Sequence, residues 1–353
     1  MSFLPEAQRL SQTPLQPHFE AVSKDDVRRI VGQEHIDAAG FLALLSPAAA
    51  PHLEAMGRRA HALTLRNFGR TISLFTPLYV SNHCANHCRY CGFAAPNTIP
   101  RSQLSLDEVR AEGQAIAATG LKHLLLLTGE APRKAGVEYL EACVRVLRPL
   151  FPSISLEVYP METADYARLV QAGVDGLTVF QETYDPVLYA QLHPAGPKRD
   201  YTFRLNTPQR GAEAGMRVVN IGALLGLTDW RQEIYATGLH AAWLQKRYPG
   251  VDVAVSLPRM RIWFVHAFKN TLLPVITVGG VQIGTMIAFT ILTETVFQWG
   301  GLGFLFLEAV ERADTSLLVA YLIFVGIIFV VVNTAVDIIY GLVNPMVRIT
   351  GRK

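Results

Sequence analysis

The sequence predicts an α/β fold built on a parallel sheet, followed by two membrane-spanning helices. Between positions 73 and 258, short apolar runs alternate with amphipathic runs, which indicates strands joined by covering helices. Positions 1–260 carry 50 of the 61 charged residues, whereas 270–293 and 315–336 carry none. This change in composition predicts two physically different parts, joined near Pro258–Ile262.

Positions 1–70 are predicted to form a helical extension ahead of the sheet. Residues 1–20 are rich in Pro and Gln, so we expect a loose arm there. Ser23, with the acidic residues that follow it, favours the start of a helix, and a second helical pattern ends at Gly69.

Six strands with helices between them are predicted over 71–260. The predicted strands are short apolar runs at 73–82, 121–130, 153–160, 174–183, 216–227 and 251–258. The predicted helices have helical periodicity and occupy 105–120, 136–150, 163–173, 204–215 and 229–250. Ser105 followed by Glu108 forms a capping-box pattern at the first of these helices.

Two architectures fit this alternation, an open doubly wound sheet and a barrel. No glycine-rich dinucleotide fingerprint follows the first strand, which disfavours the doubly wound sheet. The barrel is therefore favoured, and the doubly wound sheet stays open. The family resemblance carried by the motifs below implies a truncated TIM-type (β/α) barrel of about six units.

Three of the four cysteines, Cys84, Cys88 and Cys91, lie in a C-x3-C-x2-C pattern just after the first strand. Barrels build their functional loops at that end of the strands. Thiolates at this spacing favour a [4Fe–4S] cluster with one open iron; zinc with His83 or His87 as a fourth ligand, and uncoordinated thiols, remain alternatives. Clustered cysteines are a poor disulfide framework, and we interpret Cys143 as a core residue.

The triplet, with the aromatic Tyr90 before its last cysteine, resembles the signature of the radical S-adenosylmethionine (SAM) family. The resemblance implies that Cys84, Cys88 and Cys91 hold a [4Fe–4S] cluster and that SAM binds its open iron. Reductive cleavage of SAM would then start radical chemistry, from which water must be excluded.

Further segments along 20–261 resemble the 2-iminoacetate synthase family, the tyrosine lyases of thiamine biosynthesis. They are PLYVSNHCANHCRYCGF, LLLLTGE, VFQETY and VSLPRMR. The resemblance implies cleavage of L-tyrosine to 2-iminoacetate (dehydroglycine) and p-cresol, with a flavodoxin-type reductant and thiazole synthase as partners. The related maturase of [FeFe]-hydrogenase is a weaker match, because we expect a second cysteine set near its C-terminus and this chain has none there.

The resemblance also assigns residues to SAM. Tyr90 and Phe93 would pack near the adenine, and Gly129 with Glu130 would receive the amino group.

Three further positions are assigned with less support from the motifs. Glu182 is expected near SAM, and Gly222 would let the fifth strand approach the adenosine closely. Arg259 is a candidate partner for a substrate or SAM carboxylate. The barrel units expected after residue 261 are missing, so cluster and SAM binding should survive better than turnover.

The segment 261–353 is predicted to be a two-span membrane part. Runs of 24 and 22 uncharged residues are each long enough to cross a bilayer. HAFKNTLLPVITVGGVQIG, TETVFQWGGLG and DIIYGLVNP resemble the C-terminal end of dipeptide/oligopeptide ABC transporter permeases. A fragment of such a permease is therefore the alternative function, and a zinc-stapled domain on a membrane anchor is a third hypothesis.

Charge placement predicts the orientation of this part. Basic residues flank the two runs, and the segment between them is acid-rich. This indicates an inner-membrane protein that contacts lipid through its tail, with both termini in the cytoplasm. If the joining of the two parts near Pro258–Ile262 is an artefact, we expect the protein to be cytoplasmic. A net charge of +3 gives no reason to expect a nucleic-acid partner.

Overall fold

A computed structural model describes residues 2–256 and 301–343 of the chain. The chain divides into two compact units, Met1–Arg259 and Met260–Lys353. The sheet and the predicted site residues up to Gly222 belong to the first unit.

Six parallel strands form one sheet, in the order in which they follow along the chain, as predicted. The strands are β1 (Phe75–Ser81), β2 (His123–Thr128), β3 (Ser153–Glu157), β4 (Gly176–Glu182), β5 (Val218–Ala223) and β6 (Asp252–Ser256). Helical crossovers allow consecutive strands to run parallel, so all the carboxyl ends meet at one edge. The register shifts near the ends of β1 and β4, where the strands enter the loops of the site.

Helices precede the sheet and connect its strands. They are α1 (Leu4–Gln12), α2 (Gln16–Glu20), α3 (Lys24–Gly32), α4 (Ala38–Leu44), α5 (Leu53–Phe68), α6 (Leu106–Ala118), α7 (Val137–Leu147), α8 (Thr163–Ala172), α9 (Pro186–Leu192), α10 (Tyr201–Leu205), α11 (Thr207–Glu213) and α12 (Trp230–Arg247). The capping box predicted at Ser105 and Glu108 is present at the start of α6, and Ser23 caps α3 in the same way.

The main core lies between the sheet and the helices that cover it. Leu124 and Leu126 of β2 and Ile154 of β3 meet Leu140 and Leu147 of α7, all at 1% exposure or less. Each such side chain contributes about 1.5–3 kcal/mol when fully buried. Cys143 is buried in the same cluster, which confirms its interpretation as a core residue.

The prediction of a loose arm over residues 1–20 is wrong. Helices α1 and α2 lie there, and apolar side chains spaced along them are buried against α4 and α12. Phe3 is 2% exposed and stacks on His240 of α12, with ring centroids 4.4 Å apart. The Pro and Gln content hid this apolar face, whose partner lies more than 200 residues further along the chain.

Two details of the connection from β4 to β5 also differ from the prediction. The single helix predicted over 204–215 is two helices, α10 and α11, separated at Asn206. Pro208 accounts for the break, because it has no backbone N–H to continue the helix from Arg204. Helix α9 was not predicted.

The second unit is described over residues 301–343. It contains α13 (Leu302–Glu311) and α14 (Thr315–Val343), and the rings of Phe306 and Tyr321 lie 4.8 Å apart between them. Across residues 2–256 and 301–343, the structure has no helix of sufficient length and apolar character to cross a membrane. The second predicted span, 315–336, is therefore helical but is not confirmed as membrane-spanning, and the first, 270–293, lies outside the described residues.

Substitution of Phe3 by Ala tests whether the N-terminal segment is part of the fold. Phe3→Ala should lower the free energy of unfolding by about 3–5 kcal/mol, because it empties a packed aromatic site. Leu53→Ala, at a side chain that is 63% exposed, is the control and should have little effect. Urea unfolding, monitored by tryptophan fluorescence, measures the free energy of unfolding of both variants. Equally small changes in the two variants would mean that the N-terminal segment is not packed.

Candidate active site

The three clustered cysteines lie in the loop that follows β1, at the carboxyl edge of the sheet. Cys88 is buried, and Cys84 and Cys91 are half-buried. All three line one cavity of about 220 Å³, together with residues at the ends of β2, β3 and β4. The loop therefore lies at the carboxyl edge of the sheet, where the sequence predicts it.

The metal ligands that this loop offers are three thiols, which line the same cavity. Burial raises the pKa of the Cys88 thiol to about 11, so it keeps its proton until a metal displaces it. Within residues 2–256 and 301–343, no three His, Cys, Asp or Glu side chains are grouped closely enough to surround a single ion. A four-iron cluster takes each thiolate on a different iron, so the soft, spaced thiols of this wall fit such a cluster.

Gly129 allows the end of β2 to pass directly beneath the cysteine loop. A Cβ atom at this position would overlap the carbonyl oxygen of His83 and lie 3.1 Å from the Cβ of Cys84. Two backbone hydrogen bonds fix the approach, from Gly129 N to Ser81 O at 3.0 Å and from Ala85 N to Glu130 O at 2.9 Å. Gly129 therefore sets the height of the cysteine loop above the sheet.

Asn86, inside the cysteine loop, joins three loops through its side chain. Its Nδ2 donates to Glu130 Oε2 at 2.7 Å, and its Oδ1 accepts from the backbone N–H of Lys198 at 2.8 Å. Asn86 is 1% exposed, so neither bond competes with solvent. The loops after β1, β2 and α9 are held together at this side chain.

Two carboxylates and two cations face each other in the cavity. Lys198 Nζ lies 2.7 Å from Glu182 Oε1, and Arg204 Nη2 lies 3.8 Å from the same oxygen. Arg204 Nη1 also lies 4.0 Å from Glu130 Oε2. These side chains are only 9–11% exposed, so the charges balance one another in a weakly solvated site.

The protonation of these groups follows from their surroundings. Burial alone would raise the pKa of Glu182, but the ammonium of Lys198 and the guanidinium of Arg204 hold it below its ordinary value. For Glu157, which also lines the cavity, burial dominates and raises the pKa of the carboxyl. Glu182 is therefore an anion at neutral pH, and Glu157 is the carboxyl that takes up a proton more readily.

Glu182 has a left-handed backbone conformation, with φ of 72°, which is uncommon outside glycine. Such conformations cost about 1–3 kcal/mol and need support from the surrounding structure. The support comes from α12, where the buried Glu233 accepts bonds from Thr183 Oγ1 at 2.6 Å and Tyr184 N at 3.0 Å. Burial raises the pKa of Glu233 to about 7. Glu233 therefore positions the turn from which Glu182 reaches the cavity.

The two aromatic residues predicted near adenine have different positions. Phe93 lines the cavity and packs edge-on against Tyr79, whereas Tyr90 is not part of the cavity wall. The hydroxyl of Tyr90 lies 2.8 Å from His193 Nε2. Burial lowers the pKa of His193 to about 4, so its Nδ1–H donates to Tyr189 O and its Nε2 accepts from Tyr90.

Gly222 does not line the cavity. A Cβ on Gly222 would overlap the carbonyl oxygen of Ser256 in β6 and lie 2.9 Å from Phe180 Cδ1. The close approach at Gly222 is thus between neighbouring strands, and an approach to adenosine stays a prediction. Arg259 lies outside the described residues.

Residues of the site that were missed in the sequence include Asn86, Glu157, Lys198, Arg204 and Glu233. Asn86 had a signal, since it is a polar residue inside the cysteine triplet. Lys198, Arg204 and Glu233 had none, because each reaches the site from a separate loop or helix that only the fold brings near.

In a comparison with known proteins, the two parts of the chain match different family models. Residues 78–237 match the radical SAM superfamily, and residues 254–349 match the binding-protein-dependent transport system inner membrane components.

Individual relatives agree with this division. The 2-iminoacetate synthase of Salmonella typhimurium is 44% identical over 237 residues, which are 67% of this chain and 63% of that protein. The X-ray structure of the FeFe-hydrogenase maturase HydG from Carboxydothermus hydrogenoformans is 30% identical, with a TM-score of 0.65 over 72% of this chain and 62% of that one. The dipeptide transport system permease protein DppB of Escherichia coli is 45% identical over 95 residues, 27% of this chain and 28% of that protein.

Residues 78–237 are therefore similar to radical SAM domains, and this similarity implies a [4Fe–4S] cluster and SAM as cofactors. This part of the chain is homologous to 2-iminoacetate synthase, and the region after it is homologous to the permease DppB. The chain spans less than two thirds of the length of the synthases that it matches, and under a third of the permease.

The ion pair between Lys198 and Glu182 gives a testable pH dependence. Lys198→Met leaves a buried carboxylate with one cation fewer, so the free energy of unfolding should fall by about 3–5 kcal/mol at pH 8. In the parent chain, Glu182 has a lower pKa in the folded state than in the unfolded state, where it is about 4.3. The ionised carboxylate therefore stabilises the fold above that pH, and this stabilisation is lost as the pH falls through the folded-state pKa.

In Lys198→Met the pKa of Glu182 should rise, so the carboxyl can take up a proton at pH 5. The decrease in the free energy of unfolding should therefore be smaller at pH 5 than at pH 8. Urea unfolding of the cluster-free chain under reducing conditions measures both values. The control Lys122→Met removes an exposed lysine and should change stability by less than about 0.5 kcal/mol. A loss that is the same at both pH values would contradict the assignment.

Proposed function

We propose that the chain is a radical SAM carbon–carbon lyase that cleaves L-tyrosine to 2-iminoacetate and p-cresol. The observation that carries the proposal is the shared cavity wall of Cys84, Cys88 and Cys91, which faces the charged groups of Glu130, Glu182, Lys198 and Arg204. Similarity to 2-iminoacetate synthase supports tyrosine as the substrate.

The roles of the residues follow from their chemistry. Cys84, Cys88 and Cys91 would hold the cluster, which supplies the electron for reductive cleavage of SAM. Glu130 would receive the amino group of SAM, since its carboxylate follows β2 and lines the same cavity as the three cysteines. Phe93 gives the wall an aromatic face for the adenine ring.

The charged groups suit amino-acid ligands. SAM and tyrosine each carry an ammonium and a carboxylate, and the cavity offers carboxylates and cations within 4 Å of each other. Lys198 and Arg204 are the candidates for a ligand carboxylate, and Glu182 and Glu130 for an ammonium. Glu130 and Glu182 already pair with Lys198 and Arg204, so a ligand ammonium or carboxylate would exchange with these partners.

The proposed setting of the reaction follows from its substrates and products. A flavodoxin-type protein would supply electrons, and thiazole synthase would use 2-iminoacetate in thiamine biosynthesis. With these partners, the radical SAM domain would lie in the cytoplasm. Because the chain spans 63% of the matched synthase, we expect cluster and SAM binding to be retained better than tyrosine cleavage.

Replacement of single cysteines tests the cluster assignment. After anaerobic reconstitution, the parent chain should hold about four iron atoms and cleave SAM with dithionite. Cys88→Ala should lose iron and SAM cleavage, because one of three thiolates is gone. Cys143→Ala, at the buried core cysteine of α7, is the matched control and should keep both. Iron retained by Cys88→Ala would count against the assignment, and SAM cleavage without p-cresol would limit the function to its first step.

A second proposal concerns the C-terminal part, which we propose attaches the chain to the inner membrane. Its support is the similarity to transport-system inner membrane components and the uncharged run between Asp314 and Asp337. Apolar side chains of α14, including Leu322, Ile323 and Val330, are about 60% exposed. Transport by this part alone is not proposed, since it matches 28% of the permease.

Extraction of membranes tests this attachment. The chain should stay in the membrane pellet after alkaline carbonate and enter solution with detergent, because an apolar run is held by lipid and not by charge. Ile323→Lys/Val330→Lys places two charges in that run and should release the chain. Exchange of Lys122 and Lys246 for glutamine is a control outside the run. Carbonate release of the parent chain would contradict the proposal.

A further inference from the structure

A second cavity lies on the outer side of the cysteine loop. It has a volume of about 600 Å³, and Cys84 is the one residue of the triplet in its lining. The cavity that contains Glu182, Lys198 and Arg204 shares only Cys84 with it. Cys84 therefore lies between an inner cavity, which holds the ion pairs of Glu182, and an outer groove.

The outer groove is basic. His83, Arg101, Arg133 and Lys134 line it, and we refer to these four residues as the basic groove. Arg133 and Lys134 are exposed, and none of the ion pairs formed within residues 2–256 and 301–343 includes either of them. Their charges are consequently presented to solvent.

The loops around the groove contain little acid to offset this charge. Residues 82–104 include two arginines and no Asp or Glu. In the loop after β2, residues 129–136, the one acid is Glu130, and its carboxylate turns inward to Asn86. The positive field of the groove is thus not cancelled locally.

Arg101 fixes the groove to the cysteine loop. Its guanidinium donates to the carbonyl oxygens of Asn82 at 2.7 Å, Phe93 at 2.9 Å and Ala94 at 2.8 Å. Carbonyl groups do not neutralise a cation, so Arg101 keeps its charge while it holds the loop. Arg101 therefore joins the cysteine loop to one side of the basic groove, whose lining also includes Cys84.

We propose that the basic groove is the docking site of an acidic one-electron carrier protein. This inference rests on the proposed function, which requires a cluster at Cys84, Cys88 and Cys91. The docked carrier would lose one electron and the cluster would gain one, with no atom transferred. Complementary charge raises the rate of encounter of two proteins and orients them.

A protein carrier fits the groove better than a nucleic acid. The positive charge is local to one groove beside a redox ligand, and the net charge of the chain is only +3. Nucleic acid binding would need basic residues spread along a longer surface, since each phosphate contact adds to affinity.

Charge reversal tests the proposal in the full chain with a reconstituted cluster. Arg133→Glu/Lys134→Glu should lower flavodoxin-driven cleavage of SAM about tenfold at about 50 mM salt, where surface charges are weakly screened. Dithionite-driven cleavage should change less than about twofold, because this small reductant needs no docking surface. The affinity of the flavodoxin for this variant, measured by fluorescence anisotropy, should also be lower than its affinity for the parent chain. It should depend less on salt concentration than in the parent chain.

Lys122→Glu/Lys246→Glu is the control, with the same charge change at exposed residues near the opposite edge of the sheet. It should leave the affinity and both rates unchanged. Unchanged flavodoxin affinity in Arg133→Glu/Lys134→Glu would overturn the proposal, as would equal losses with flavodoxin and dithionite. Selective binding of a DNA duplex to these residues, without flavodoxin binding, would also overturn it.

Failure of the proposed function has a different signature. If the parent chain does not cleave SAM with dithionite, the enzyme assignment fails. The anisotropy measurement then still decides whether flavodoxin binds at Arg133 and Lys134.

Discussion

The site depends on the close passage of β2 beneath the cysteine loop. Only glycine fits at position 129, because any side chain would meet the backbone of His83 and the side chain of Cys84. This contact positions the three thiols at the carboxyl ends of the strands. The hydrogen bond from Asn86 to Glu130 also joins the loops that follow β1 and β2. Parallel strand pairing brings these loops together at one edge of the sheet, so the position of the site follows from the fold.

Charge balance is the second property of the cavity. Glu130 and Glu182 are matched by Lys198 and Arg204, all in a weakly solvated site where an unpaired charge is costly. The strained backbone at Glu182 is held from α12 by Glu233, and α12 itself packs against α1. The N-terminal helices thus belong to the support of the site, although they lie far from it in the sequence.

Much of the fold was predictable because its signals are local. Apolar runs marked all six strands, and Ser105 with Glu108 marked a helix start that the structure shows. The cysteine spacing and Gly129 with Glu130 identified one wall of the cavity. Lys198, Arg204 and Glu233 were not predictable, because their roles arise only when separate elements meet. The buried face of residues 3–19 was missed for the same reason, since α12 is its partner.

The central claim is that Cys84, Cys88 and Cys91 leave one iron of a four-iron cluster free to bind SAM. Electron paramagnetic resonance of the reduced, oxygen-free chain, recorded with and without SAM, tests it most directly. The account predicts the spectrum of a reduced [4Fe–4S] cluster that changes when SAM is added, because the ligands of one iron change. An iron-free chain, or a cluster spectrum that SAM leaves unchanged, would contradict it.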